Sequence, residues 1–156
     1  MIVIGIDPGI SGAIAVLFGD GTLASVHDMP TLKVGTKQQV DAAALAGLIP
    51  TCHAFVERSQ AMPGQGVTSM FNYGRSYGVI IGILATLGIP YEEVAPQTWK
   101  AVMMKGASKE KGASIAVASK LFPHVDLLRS KDHGKSDALL IAEYGRRLLV
   151  GKEKLR

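Results

Sequence analysis

The stretch Ile2-Val3-Ile4-Gly5-Ile6-Asp7-Pro8-Gly9-Ile10-Ser11-Gly12-Ala13-Ile14-Ala15-Val16-Leu17-Phe18 decides how this chain is read. Ile2 to Ile6 make a short apolar strand, Pro8 and Gly9 a turn, and Ile14 to Phe18 resume as strand. Asp7 closes the first strand. A carboxylate buried there without a partner is costly, so it normally faces a cation such as a metal ion.

Working outward, Gly19-Asp20-Gly21 is a hairpin signal leading to a third strand over 22–28, and 30–36 reads as a loop. The Ala/Leu-rich run 38–49 predicts a helix that Pro50 stops. Residues 54–57 form a buried strand that again ends in an acid, Glu57. A polar loop over 58–66 precedes a long helix over 68–87, then a strand over 91–94 and helices over 96–103, 109–121 and 136–149. A meander followed by alternating helices and strands implies an α/β chain with a mixed sheet and helices on both faces. Gly74, Gly78 and Gly82 lie inside the 68–87 helix. Each costs about 1 kcal/mol there, which points to a second backbone close by, in the sheet or in another copy. No repeat, low-complexity tract or linker divides residues 1–156, so a single domain is expected.

Composition narrows the class. Only 19% of residues are charged, yet no apolar run is long enough to span a bilayer, so no membrane role is expected. The opening residues lack a basic segment and read as strand, not as a signal peptide. The lone Cys52 excludes an intramolecular disulfide and a cysteine-based zinc site; it reads as a small buried hydrophobe in a reducing compartment. Charge is unevenly placed. Residues 1–98 carry four Lys/Arg against seven acids, and residues 99–156 carry thirteen against six. A basic half is the footprint of a polyanion, here nucleic acid, although solvated surface lysines would look the same.

Asp7, Glu57, Asp132 and Asp137 are the candidate metal-binding carboxylates. Their hard oxygens select Mg²⁺ or Mn²⁺, and a pair of such ions suits phosphodiester hydrolysis. Asp132, His133 and Asp137 fall just before or inside the last helix, with Asp137 expected in its first turn, where the dipole favours the ionised form. Each has a plainer reading: Asp7 as a turn former, Glu57 paired with Arg58, Asp132 and Asp137 as helix caps, His133 as a loop residue.

Ile4-Gly5-Ile6-Asp7-Pro8-Gly9, Val56-Glu57 and Asp137-Ala138-Leu139-Leu140-Ile141-Ala142 together resemble the RuvC family of Holliday-junction resolvases. Phe71 to Gly78, Pro96-Gln97-Thr98-Trp99-Lys100 and Lys111 to Ala116 extend the likeness over nearly the whole chain, and Asp132 to Asp137 is most similar to the phage and plant-organelle branch. The resemblance implies an RNase H-like fold with a mixed five-stranded sheet, a homodimer, and metal-dependent nicking of opposed strands of a four-way DNA junction. Asp7, Glu57 and Asp137 become ligands of two Mg²⁺ or Mn²⁺ ions, with no small-molecule cofactor. The family's fourth ligand falls at Gly134, which has no side chain, so Asp132 takes that place, with His133 as its rival. Lys111 matches a lysine placed near the scissile phosphate, where it would neutralise developing charge. Gln60 and Met62 occupy the loop that enters the junction centre, and Met can act as an apolar wedge. Arg75, Lys100, Lys105, Lys109, Lys111, Lys131 and Lys135 are the candidate DNA contacts. The implied location is a bacterial or phage-infected cytoplasm, or an organelle matrix.

Three other functions stay open at this stage. One is a nuclease acting on branched DNA more broadly. Another is a junction binder without catalysis. The third is an actin-like ATPase or kinase relative, which the Asp7-Pro8-Gly9 turn alone supports, since no second phosphate loop follows.

Overall fold

The computed structural model describes residues 1–58, 60, 64–108, 110, 112–129 and 131–153, the Glu153 side chain excepted. Five strands make the main sheet: β1 (Ile2–Asp7), β2 (Ala13–Phe18), β3 (Leu23–Asp28), β6 (His53–Glu57) and β7 (Tyr91–Val94). They lie in the order β3-β2-β1-β6-β7; β1 to β3 are antiparallel, and β1, β6 and β7 run parallel. Parallel neighbours bring the same ends of their strands together. With Ile6 opposite Val56, the terminal residues Asp7 and Glu57 stand side by side on one sheet edge.

The period-2 alternation of β1 feeds two cores. Ile4 and Ile6, with Ala54 and Val56, face α1 (Ala42–Leu48) and α2 (Val67–Thr86), through Leu45, Ile80 and Leu84. Val3 and Phe55 face the other side, against α3 (Pro96–Met103), α4 (Ala113–Leu121) and α5 (His133–Glu153). Asp7 and Glu57 share that second face. α5 lies directly on it because both surfaces are stripped of side chain: a Cβ on Gly5 would meet Ala138 O at 2.2 Å, and one on Gly145 would meet the Phe55 ring at 2.1 Å.

Several expected boundaries move. Residues 30–36 are not a plain loop, nor is 38–49 all helix. β4 (Thr31–Val34) and β5 (Lys37–Val40) form a separate two-stranded ribbon, turning at Gly35 with φ 61°. The Asp41 side chain accepts the Ala44 N–H at 3.0 Å, so the helix starts after it. α4 begins at Ala113 because Gly112 is left-handed at φ 94°. α5 begins three residues early, at His133, which puts Asp137 in the second turn and removes the dipole argument made for it. Gly134 is helical rather than a loop glycine, and it must be glycine because a Cβ there would lie 2.5 Å from Ser11 O. The glycines of α2, by contrast, meet nothing within 4 Å. Phe71 is 71% exposed, so it is not a core residue.

Candidate metal centre

Three elements build the site. β1 and β6 each end in a carboxylate, and α5 crosses β1 closely enough to lower Asp137 beside them. Burial pushes the Asp7 carboxyl well above its ordinary range, and the charges of Glu57 and Asp137 push it further, with Lys100 acting against them. Glu57 is raised by burial, against the pull of the Trp99 hydrogen bond and Lys100. Asp137 is raised by burial too, against Ser114, Lys100, His133 and Ser136. Asp7, crowded by Glu57 and Asp137, thus sits in a negative pocket that would be relieved by a cation.

The donor set fits a hard divalent ion: carboxylates plus one imidazole, with no thiolate. Asp137 Oδ1 is buried and without a hydrogen-bond partner, as an atom awaiting a cation would be. The ligands are not fully drawn together, however. Among the described residues no three His, Cys, Asp or Glu side chains form a ready-made metal group. Glu57 Oε2 accepts the Trp99 indole N–H at 2.7 Å.

Asp132 is not part of this cluster. It is wholly buried, and burial alone would raise its pKa, but Arg129 holds it below the ordinary range. Arg129 donates its backbone N–H to Oδ2 at 2.7 Å and its Nε to Oδ1 at 2.8 Å, while its other nitrogens bind Asp28 at 2.9 and 3.0 Å. Asp132 therefore fastens the start of α5 to the end of β3, and both its oxygens are engaged. His133, one helical turn before Asp137 and on the same face, exerts a field on Asp137, as Lys100 does more strongly.

The candidate DNA contacts separate in the same way. Lys100 is exposed and faces all three acids, and Lys105 is exposed. Gln60 lies with Glu57 on a cleft of about 520 Å³. Arg75 lines another of about 550 Å³ between the ribbon and α2, which also reaches Gly9 and Ile10. Lys131 and Lys135 approach Asp28 at 3.8 and 4.0 Å, and Lys135 is largely enclosed, so it belongs to the Arg129 network rather than to a free surface. Met62, Lys109 and Lys111 lie outside the described residues. Part of the basic second half is engaged internally: Arg146 and Arg147 both clamp Glu143. Cys52 is half-buried, and burial pushes its thiol up to about 11, which leaves it unreactive. Among the described residues no helix is long and apolar enough to cross a membrane.

Sequence reading missed two groups, Trp99 and Arg129. Trp99 sits in a motif noted only as a likeness, and Arg129 is a lone arginine in a loop, with no local signal of the two acids it joins.

Sheet order, acid placement and the crossing of α5 define an RNase H-like protein. No family model matches the chain. It is 32% identical over 123 residues, 72% of its length, to the chloroplastic Holliday junction resolvase MOC1 of Chlamydomonas reinhardtii, of whose length it spans 14%. Among solved structures it is similar to Thermus thermophilus RuvC in complex with a Holliday junction substrate, with TM-score 0.64 and 16% identity over 97% of both chains. A second Thermus thermophilus RuvC structure gives TM-score 0.59 and 19% identity, also over 97% of each. In sequence the chain thus resembles a Holliday junction resolvase over most of its own length, and in fold it is RuvC-like.

Proposed function

We propose that this chain is a metal-dependent endodeoxyribonuclease that resolves four-way DNA junctions by paired nicks, as a single catalytic domain working in a homodimer. The convergence of Asp7, Glu57 and Asp137 from three remote segments carries the reading, on a fold and sequence akin to known resolvases. His133 is the fourth ligand in this proposal, in place of Asp132, whose oxygens serve Arg129.

Bound here, a pair of Mg²⁺ or Mn²⁺ ions would supply an activated water and neutralise charge on the leaving oxygen. The chain's own residues set the rest. Asp7, Glu57 and Asp137 offer carboxylate oxygens from the sheet edge and α5, and His133 offers an imidazole nitrogen from the helix start. Lys100 presents an ammonium beside them, where it offsets charge on the scissile phosphate; Lys111 has the same part by its place in the family pattern. Gln60 and the cleft next to Glu57 lie where a strand leaving the site would pass, and Arg75 flanks the opposite side.

A four-way junction presents two equivalent cleavage points, which calls for two sites related by a two-fold axis. The exposed face of α2 suits contact between copies: Val67 and Phe71 are exposed, and Gly74, Gly78 and Gly82 have open space above them. A reducing compartment, cytoplasm or organelle matrix, suits a chain whose one cysteine is free and has no second cysteine to pair with.

The test is incubation of the full chain with end-labelled four-way, three-way and linear DNA in Mg²⁺, Mn²⁺ or EDTA. Symmetric nicks in the four-way junction, only with metal, are expected. Binding with no nick in either metal would leave a junction binder. Equal nicking of linear DNA would remove the structural selectivity.

A further inference from the structure

We propose that Trp99 is a positioning residue that limits Glu57 to one free oxygen, and so biases the centre toward small octahedral ions over calcium. The inference rests on the metal-site reading above. Glu57 has the longest side chain of the three clustered carboxylates, and its backbone fixes its head least. Its constraint comes from α3 instead. The Trp99 indole N–H donates to Glu57 Oε2 at 2.7 Å, and Trp99 is 0% exposed, packed among Val94, Met103 and the α5 side chains.

An indole nitrogen has one hydrogen to give and no acceptor function. Because the ring cannot turn within its packing, that hydrogen stays aimed at Oε2. A cation approaching both oxygens would meet the positive edge of the donor on one side, whereas among the described residues Oε1 carries no such obstacle. Glu57 is thereby set for single-oxygen ligation. Mg²⁺ demands near-ideal octahedral geometry and takes carboxylates sparingly, while Ca²⁺ accepts more oxygens and two-oxygen carboxylates. One immobile hydrogen bond thus favours the first kind of ion. Lys100, next in sequence, lies 5.0 Å over the same ring, so a single helical turn both aims a ligand and presents a cation to the site.

The chain has one tryptophan, which makes the test chemical rather than only mutational. Replacing Trp99 with its benzothienyl-alanine isostere puts sulfur where the N–H was and keeps the shape. Mn²⁺ and Ca²⁺ binding to the full chain, without DNA, is then measured by calorimetry beside the parent, with thermal melting in EDTA as the folding control. The isostere is expected to melt near the parent and to bind Mn²⁺ about 10–100-fold more weakly, as loss of an outer partner of a metal ligand does, with Ca²⁺ weakened less. Parental affinities for both ions would overturn the proposal, and equal loss of both would overturn its selectivity. A parent that binds neither ion would instead sink the metal-site reading itself. Should the isostere fail to fold, Trp99 emission in the parent serves: saturating Ca²⁺ is expected to shift it, and not in Glu57→Gln. An unchanged spectrum refutes the coupling.

Discussion

Replacing Gly5 with alanine tests whether close packing of α5 on β1 builds the site. The added Cβ would lie 2.2 Å from Ala138 O, 2.3 Å from Ala142 N and 2.9 Å from Ala142 Cα. These are backbone atoms of a helix and cannot rotate away. Ordinary contact begins near 3.5 Å, so the helix must retreat by roughly 1 Å or more. Overpacking of this kind costs about 1–3 kcal/mol, and the rigidity of both partners argues for the upper end. Asp137 directly precedes Ala138, so the retreat carries it away from Asp7. A displacement of about 1 Å at a reacting centre can cost about 100-fold in rate. Guanidinium unfolding would report the first effect, and junction nicking per folded molecule the second. Gly47→Ala is the control, because nothing lies within 4 Å of that position, and it should lose neither. Parental stability in Gly5→Ala would refute the packing argument. Lower stability with unchanged nicking would show that α5 position does not govern the site.

Other outcomes follow from the charges. Asp7→Asn should bind junctions but not nick them in Mg²⁺; normal nicking would dismiss the metal assignment. Its stability has a definite sign. Burial, Glu57 and Asp137 raise the Asp7 pKa above 3.8, so what this group contributes is present in acid and lost as pH climbs through the raised value. In EDTA the variant should therefore melt higher than the parent near neutrality, with the gap closing toward pH 3.8, and identical melting throughout would contradict the crowding. Arg129→Met strands buried Asp132 and releases Asp28, whose pKa values lie below 3.8. Their contribution is present above that value and lost as pH falls, so the drop in melting temperature should be largest near neutrality and shrink in acid. Junction affinity should fall linearly with salt on a double-log plot, by about 0.9 per phosphate contact, and Lys100→Gln or Lys105→Gln should each reduce the slope by about 1. A salt-independent affinity would count against DNA contact through these lysines.

Sequence by itself determined the strands of the main sheet and the acids that close two of them. Strand periodicity, the Asp7-Pro8-Gly9 turn and the acid closing 54–57 are local signals, since alternation and turn chemistry act over a few residues. β1, β7 and α3 accordingly fall where the pattern places them. The β4–β5 ribbon was hidden because Gln38, Gln39 and the alanines after them suit a helix, and only Asp41 as a cap and pairing with Thr31–Val34 decide otherwise. Asp132 and His133 differ little in sequence, as neighbouring polar groups near one helix start, and oxygen-ligand chemistry favours Asp132 for the fourth ligand beside Asp137. Tertiary structure alone separated them: Arg129 ties Asp132 to Asp28, 104 positions earlier in the chain, while the helical period turns His133 and Asp137 to the sheet edge. It alone also brought Trp99 to Glu57. Long-range hydrogen bonds and ion pairs depend on where distant segments meet in space, and no local pattern of residue types encodes that meeting.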